Sequence, residues 1–139
     1  MAEISGPPRK PRPSPGAERA ARAQDLGRRA EQAVARYLEQ AGATIVATNL
    51  RVGRYELDVV AREGRVVIVV EVRARGAGAW TTGFGSMDAK KRLRIRRAAE
   101  RLWRHRFKHD STIDRLRIDA ASVTFEDGEP IVEYAKAVF

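Results

Sequence analysis

Asp58 and Glu71 are carboxylates set inside apolar runs, Leu57 to Ala61 and Val66 to Val72. Side chains alternate along extended chain, so Glu56, Asp58 and Val60 share one face, with Leu57, Val59 and Ala61 on the other. In the second run Val67, Val69, Glu71 and Arg73 share a face, opposite Ile68, Val70 and Val72. That run is apolar on both faces until Glu71. It reads as a central, buried strand, where an uncompensated carboxylate is costly. A hairpin between the two runs brings Asp58 beside Glu71 as a cross-strand neighbour. Adjacent carboxylates raise each other's energy, and a divalent cation relieves them. Oxygen donors of this kind suit Mg²⁺ or Mn²⁺, which can activate water and neutralise charge on a phosphodiester. The alternative is a structural ion pair in which Arg73 or Arg75 satisfies both acids.

A second group of residues bears on the partner. The chain carries a net charge of +9, and the segment from Ser86 to His109 holds ten Lys and Arg against Asp88 and Glu100, a net +8. At about 100° per residue, Lys90, Arg94, Arg97, Arg101, Arg104 and Lys108 fall in one helical stripe, and Ile95, Ala98, Ala99 and Leu102 in another. A purely basic stripe repels itself along i, i+4 pairs, and phosphates alongside offset that repulsion. Nucleic acid is the expected partner; a solvated face, or docking on an acidic protein, is the alternative. Trp80 and Phe84 in the glycine-rich stretch 76–85 are placed either to stack on unpaired bases or to pack on the core.

Other chemistries are excluded. The chain has no cysteine, so thiolate metal sites and disulfides are absent. It has no phosphate-binding glycine motif of the nucleotide-cofactor kind and no Gly-x-Ser-x-Gly elbow. His105 and His109 are spaced i, i+4, without a third ligand nearby. The longest apolar stretch, Val66 to Val70, falls far short of the roughly 20 residues that span a bilayer. With no apolar leader segment either, a cytoplasmic protein without a membrane partner is expected.

The elements that must position these residues follow from the periodicity. Residues 1–22, which hold five of the six prolines, read as a flexible basic tail, and 23–139 as a single α/β domain. From Asp25, apolar residues Leu26, Ala30, Ala33, Val34, Tyr37 and Leu38 recur at helical spacing, and Gly42 suits the position just past the helix. Strands are expected over Ala43–Leu50, Glu56–Ala61 and Val66–Arg73, the last two joined at residues 62–65. A long helix over Met87–Phe107, a strand over Leu116–Phe125, a turn at 126–130 and a strand over Ile131–Val138 complete the order α-β-β-β-α-β-β. That order implies a mixed sheet of about five strands flanked by helices.

The fragments Gly27-x-x-x-Glu31-x-x-x-x-x-Tyr37-Leu38, Asn49-x-Arg51, Glu56-x-Asp58, Val70-Glu71-Val72-Arg73-x-Arg75, Lys90 or Lys91, and Arg117-x-Asp119 resemble, in order and spacing, the YraN family of uncharacterised bacterial proteins. The resemblance covers residues 25 to 125. That family in turn resembles the restriction-endonuclease-like fold of Holliday-junction resolvases and PD-(D/E)xK nucleases. The resemblance implies Asp58 and Glu71 as metal-ligand carboxylates, the Val72 carbonyl as a further ligand to Mg²⁺ or Mn²⁺, and Glu31 as an additional acid. By analogy with junction-processing relatives it also implies a homodimer. Two positions depart from the pattern: Arg73 stands where the family usually has Lys, and Tyr55 where it usually has Gly. Lysine can help deprotonate an attacking water, whereas arginine stays protonated and serves only as an electrostatic partner. The expectation is a nucleic-acid-binding protein, and, if active, a Mg²⁺-dependent endonuclease that cleaves DNA. The alternative is a non-catalytic nucleic-acid or protein-interaction module on the same scaffold.

Overall fold

Two-residue turns organise the sheet in a computed structural model of the chain, which describes residues 6–75 and 89–138. Gly53-Arg54 joins β1 (Thr44–Val52) to β2 (Tyr55–Glu63), and Gly64-Arg65 joins β2 to β3 (Val66–Arg75). Asp127-Gly128 joins β4 (Arg115–Glu126) to β5 (Glu129–Ala135), with φ of +49° and +80°, the backbone that a twisted two-residue hairpin demands. β3 and β4 run parallel, so the chain must cross over the sheet between them, and α2 (Ala89–Leu102) lies on that crossover.

The result is one five-stranded sheet, ordered β1-β2-β3-β4-β5, antiparallel except at β3–β4. It is the mixed α/β sheet in α-β-β-β-α-β-β order that the periodicity implies. α1 (Pro15–Gln40) packs Ala30, Val34 and Leu38 on one face, against Val59, Ala61, Ile68 and Val70. α2 packs Ile95, Ala98, Ala99 and Leu102 on the other, against Leu57, Val60, Val67 and Val69. Val67 to Val70 are at most 1% exposed. Each such side chain is worth roughly 1.5–3 kcal/mol of burial, so β3 is the strand the fold is built on.

Three boundaries depart furthest from the sequence reading, whereas Gly42 stands just past α1 as expected. α1 starts at Pro15 rather than Asp25, because Ser14 caps it, accepting a hydrogen bond from the Ala17 N–H, and Pro15 suits the first turn. Residues 15–25 are exposed, so burial periodicity carried no signal there. At its other end Gly42 takes a φ of +96°, with Ala43 N–H donating to Leu38 O and Gly42 N–H to Glu39 O, the closing motif that glycine permits. α2 gives way at Leu102 to a π turn over Trp103–Phe107, marked by Lys108 N–H donating to Trp103 O. β5 ends at Ala135, and Ala137 turns at a φ of +52° so that Val138 N–H reaches Ile118 O. The stretch 76–85 with Trp80 and Phe84, and a helix start at Met87, lie outside the described residues. Among the described residues no helix is long and apolar enough to cross a membrane.

Candidate functional site

Strict alternation holds in β2 from Val59 to Ala61 and then fails. Leu57 packs with Val60 in the α2-side core, whereas Val59 packs in the α1-side core. The face assignment that put Leu57 with Val59 is therefore corrected. The break in alternation falls between the pairs Thr48↔Val59 and Leu50↔Leu57, which keep one register, level with Asn49 at a φ of +50°; the register shift between β1 and β2 lies elsewhere, between Ile45 and Ala47. Asparagine tolerates that left-handed conformation better than most residues.

The sheet opens at the same level. Ladder pairing between β2 and β3 stops at Val59↔Val70, one position short of Asp58 and Glu71. Instead of the strand backbone, the Asp58 carboxylate meets β3: its Oδ2 accepts the Val72 N–H at 2.9 Å. Asp58 and Glu71 are thus brought together as expected, at the floor of a cleft of about 470 Å³. Lys90, Lys91 and Arg94 from α2, Arg54 from the β1–β2 turn, and Tyr55 and Glu56 at the start of β2 form its sides.

Burial, reinforced by the neighbouring Glu71 charge, pushes the Asp58 carboxyl far above the ordinary carboxylate range, to about 8, against the Val72 N–H that favours its ionised form. Glu71 is itself 8% exposed, and its cation is Lys91: Nζ lies 2.8 Å from Oε1. The alternative read from the sequence, a structural ion pair, named Arg73 or Arg75 for both acids and did not name Lys91. A strand points Arg73 along the same face as Glu71, two residues on, whereas the lysine approaches from the helix opposite that face. Only Lys91's place beside Lys90 in the motif hinted at it. The stripe counted Lys90 as the functional residue.

Glu31 is drawn toward the site but held off. Its carboxylate accepts a 2.7 Å hydrogen bond from Asn49 Nδ2, and burial first, then the charges of Glu56 and Glu71, raise its pKa against that bond and Arg28. Among the described residues no three acidic or imidazole side chains converge on one ion-sized point. The oxygen donors that do meet are those of Asp58 and Glu71 beside the Val72 backbone.

The basic stripe divides. Lys90, Arg94 and Arg97 line the cleft or its continuation past Arg54, Tyr55 and Leu93. Arg101 borders a separate hollow beyond the β1–β2 turn, with His105 and Arg106. Arg104 lies on the π turn and Lys108 just past it, both exposed, and neither lines these three clefts. The π turn winds more residues into each turn than the α-helical wheel assumed, rotating everything after Leu102.

Arg117-x-Asp119, by contrast, is structural. Asp119 is fully buried and accepts hydrogen bonds from Arg117 Nε and Nη2 (2.8 and 2.9 Å), the Tyr134 hydroxyl and the Ala137 N–H. It lies on β4 level with Val70, on the α1 side of the sheet, whereas Glu71 faces α2. Burial and the Asp119 carboxylate push the Tyr134 phenol upward, so it stays a donor.

With this geometry in place, comparison with other proteins is informative. A sequence profile described as Uncharacterised protein family UPF0102 matches residues 30–123. A UPF0102 protein of Sorangium cellulosum is 53% identical over 127 residues, covering 91% of this chain and 88% of that protein. One from Desulfitobacterium hafniense is 36% identical, covering 76% and 86%. One from Streptomyces coelicolor is 38% identical, covering 81% and 87%.

Proposed function

The chain belongs to the uncharacterised protein family UPF0102, the YraN family its motifs resemble, and from that premise we propose that it binds DNA and hydrolyses phosphodiester bonds with a divalent cation. The observation that carries this reading is the meeting of Asp58, Glu71 and Lys91 at the floor of a cleft with basic sides.

The donors fit Mg²⁺ or Mn²⁺. Two buried carboxylates that repel each other can both ionise only beside a cation, and hard oxygen donors favour these metals. Asp58, Glu71 and the Val72 carbonyl would hold the ion, which when bound supplies an acidified water and charge neutralisation at the phosphate. Lys90 and Arg94 hold the flanking phosphates, and Arg73 adds positive charge on the Glu71 face. Lys91 can orient the attacking water and, once released from Glu71 and deprotonated, accept its proton, which Arg73 cannot. The departure from the family's lysine on β3 therefore need not abolish activity.

The Lys91–Glu71 ion pair also favours one rival. An acid already satisfied by a lysine needs no metal, and the cleft is then a binding surface only. Incubating wild type and Lys91→Arg with a panel of DNA and RNA substrates, with Mg²⁺ and with chelator, separates the two. Wild type cleaves DNA only with metal, and Lys91→Arg loses roughly 10²–10⁴-fold in rate while still binding. Salt-sensitive binding that persists in chelator, with no cleavage of any substrate, establishes the binding module instead.

A further inference from the structure

The hollow beyond the β1–β2 turn shares no residue with the acidic cleft, holds about 480 Å³, and has Arg51, Arg101, His105 and Arg106 among its lining residues with no carboxylate. Among the described residues none of its three arginines has an ion-pair partner within 4.0 Å. Like charges gathered in a concave site attract an anion, because low-dielectric walls focus their common field.

The site is assembled from two elements. Gly53, at a φ of +62°, lets the turn pack directly on the Arg101 guanidinium, where any Cβ would overlap it. The backbone thereby limits the sweep of a side chain that would otherwise move freely in solvent. The π turn brings His105 and Arg106 to the same hollow, with the Arg106 guanidinium 5.7 Å from the Phe107 ring. Planar guanidinium forks match the oxygens of a phosphate.

We propose that this hollow seats a second phosphate of the nucleic acid whose cleavable bond lies at Asp58 and Glu71, an inference that rests on the nucleic-acid reading above. Lys91 and Arg101 are ten residues apart in sequence, and His105 is a turn further. At 1.5 Å per residue that is roughly 15–21 Å, and at 3.4 Å per nucleotide along one strand it corresponds to about four to six nucleotides. The two sites together set the length of strand that the protein measures.

The test is a length ladder of oligothymidylates and stem-loop duplexes, titrated with Mg²⁺ against wild type and Arg51→Ala/Arg106→Ala. Both substituted side chains are exposed, and circular dichroism verifies folding. Wild-type affinity is expected to step up about tenfold once a strand exceeds four to six nucleotides. The double variant loses that step, keeps its affinity for the shortest oligomers, and its salt slope on long single strands falls by about 0.7. Gly53→Val, which displaces Arg101, reproduces the loss. A step that survives in both variants overturns the phosphate seat while leaving nucleic-acid binding intact. Absence of binding at every length overturns both.

Discussion

Asp58→Asn is expected to abolish metal-dependent cleavage and at the same time to stabilise the metal-free protein at alkaline pH. The folded-state carboxyl sits at about 8 against an ordinary value of 3.8. Between those values the native state keeps a proton that the unfolded chain has released. Wild-type stability attributable to this group is therefore full below about pH 4 and is lost as pH rises toward 8, with a slope of at most about 1.4 kcal/mol per unit. Asparagine cannot ionise, and its carbonyl can still accept the Val72 N–H now taken by Oδ2. The variant's denaturation midpoint should thus fall less than wild type's from pH 5 to 9 and exceed it at the alkaline end. Mn²⁺ should raise the wild-type midpoint, increasingly so up to pH 8 as metal displaces the proton, and leave the variant unmoved. Cleavage should drop by more than the roughly 10- to 100-fold that losing an outer metal partner costs. A variant less stable than wild type at pH 8.5 would show that Asp58 is held as a favourable anion.

The largest loss of stability is expected from Asp119→Ala. The carboxylate is fully buried, while Arg117 has a side chain only 15% exposed. Removing the acid leaves that guanidinium, the Tyr134 hydroxyl and the Ala137 N–H without their acceptor. Stranding one member of a buried pair costs about 3–5 kcal/mol, a large share of a small domain's stability. Tyr134→Phe removes one donor and keeps the stack on Tyr37, whose ring centroid lies 5.1 Å away, so about 1–2 kcal/mol is expected there. Replacing both Arg117 and Asp119 by Leu should recover much of the loss, because no buried charge is then left alone. Urea midpoints of the three variants check the order; a double variant no better than Asp119→Ala would contradict it.

The legible parts of this protein were those governed by burial. The Ile95, Ala98, Ala99 and Leu102 face, the two-sided apolar β3 and the element order follow from period alone, and the structure buries those residues. What period could not carry was local backbone geometry. The break in alternation at Asn49 and Asp58 and the π turn at Trp103 each change the direction in which the following side chains point. The first is enough to move Leu57 to the other core. Nor could spacing choose between Lys90 and Lys91, adjacent on α2, of which only the second meets Glu71. The exposed half of α1 was invisible for a different reason: it is held by capping and propensity and buries nothing.

That half-helix has a kinetic consequence. Its first buried residue is Ala30, so the turns before it can open without disturbing either core. Their amide protons should exchange with deuterium through fraying, orders of magnitude faster than those of Val34 and Leu38, whose exchange waits for the packed layer to open. A sharp rise in protection within a turn or so of Ala30, read residue by residue, would mark where cooperative unfolding of this protein begins.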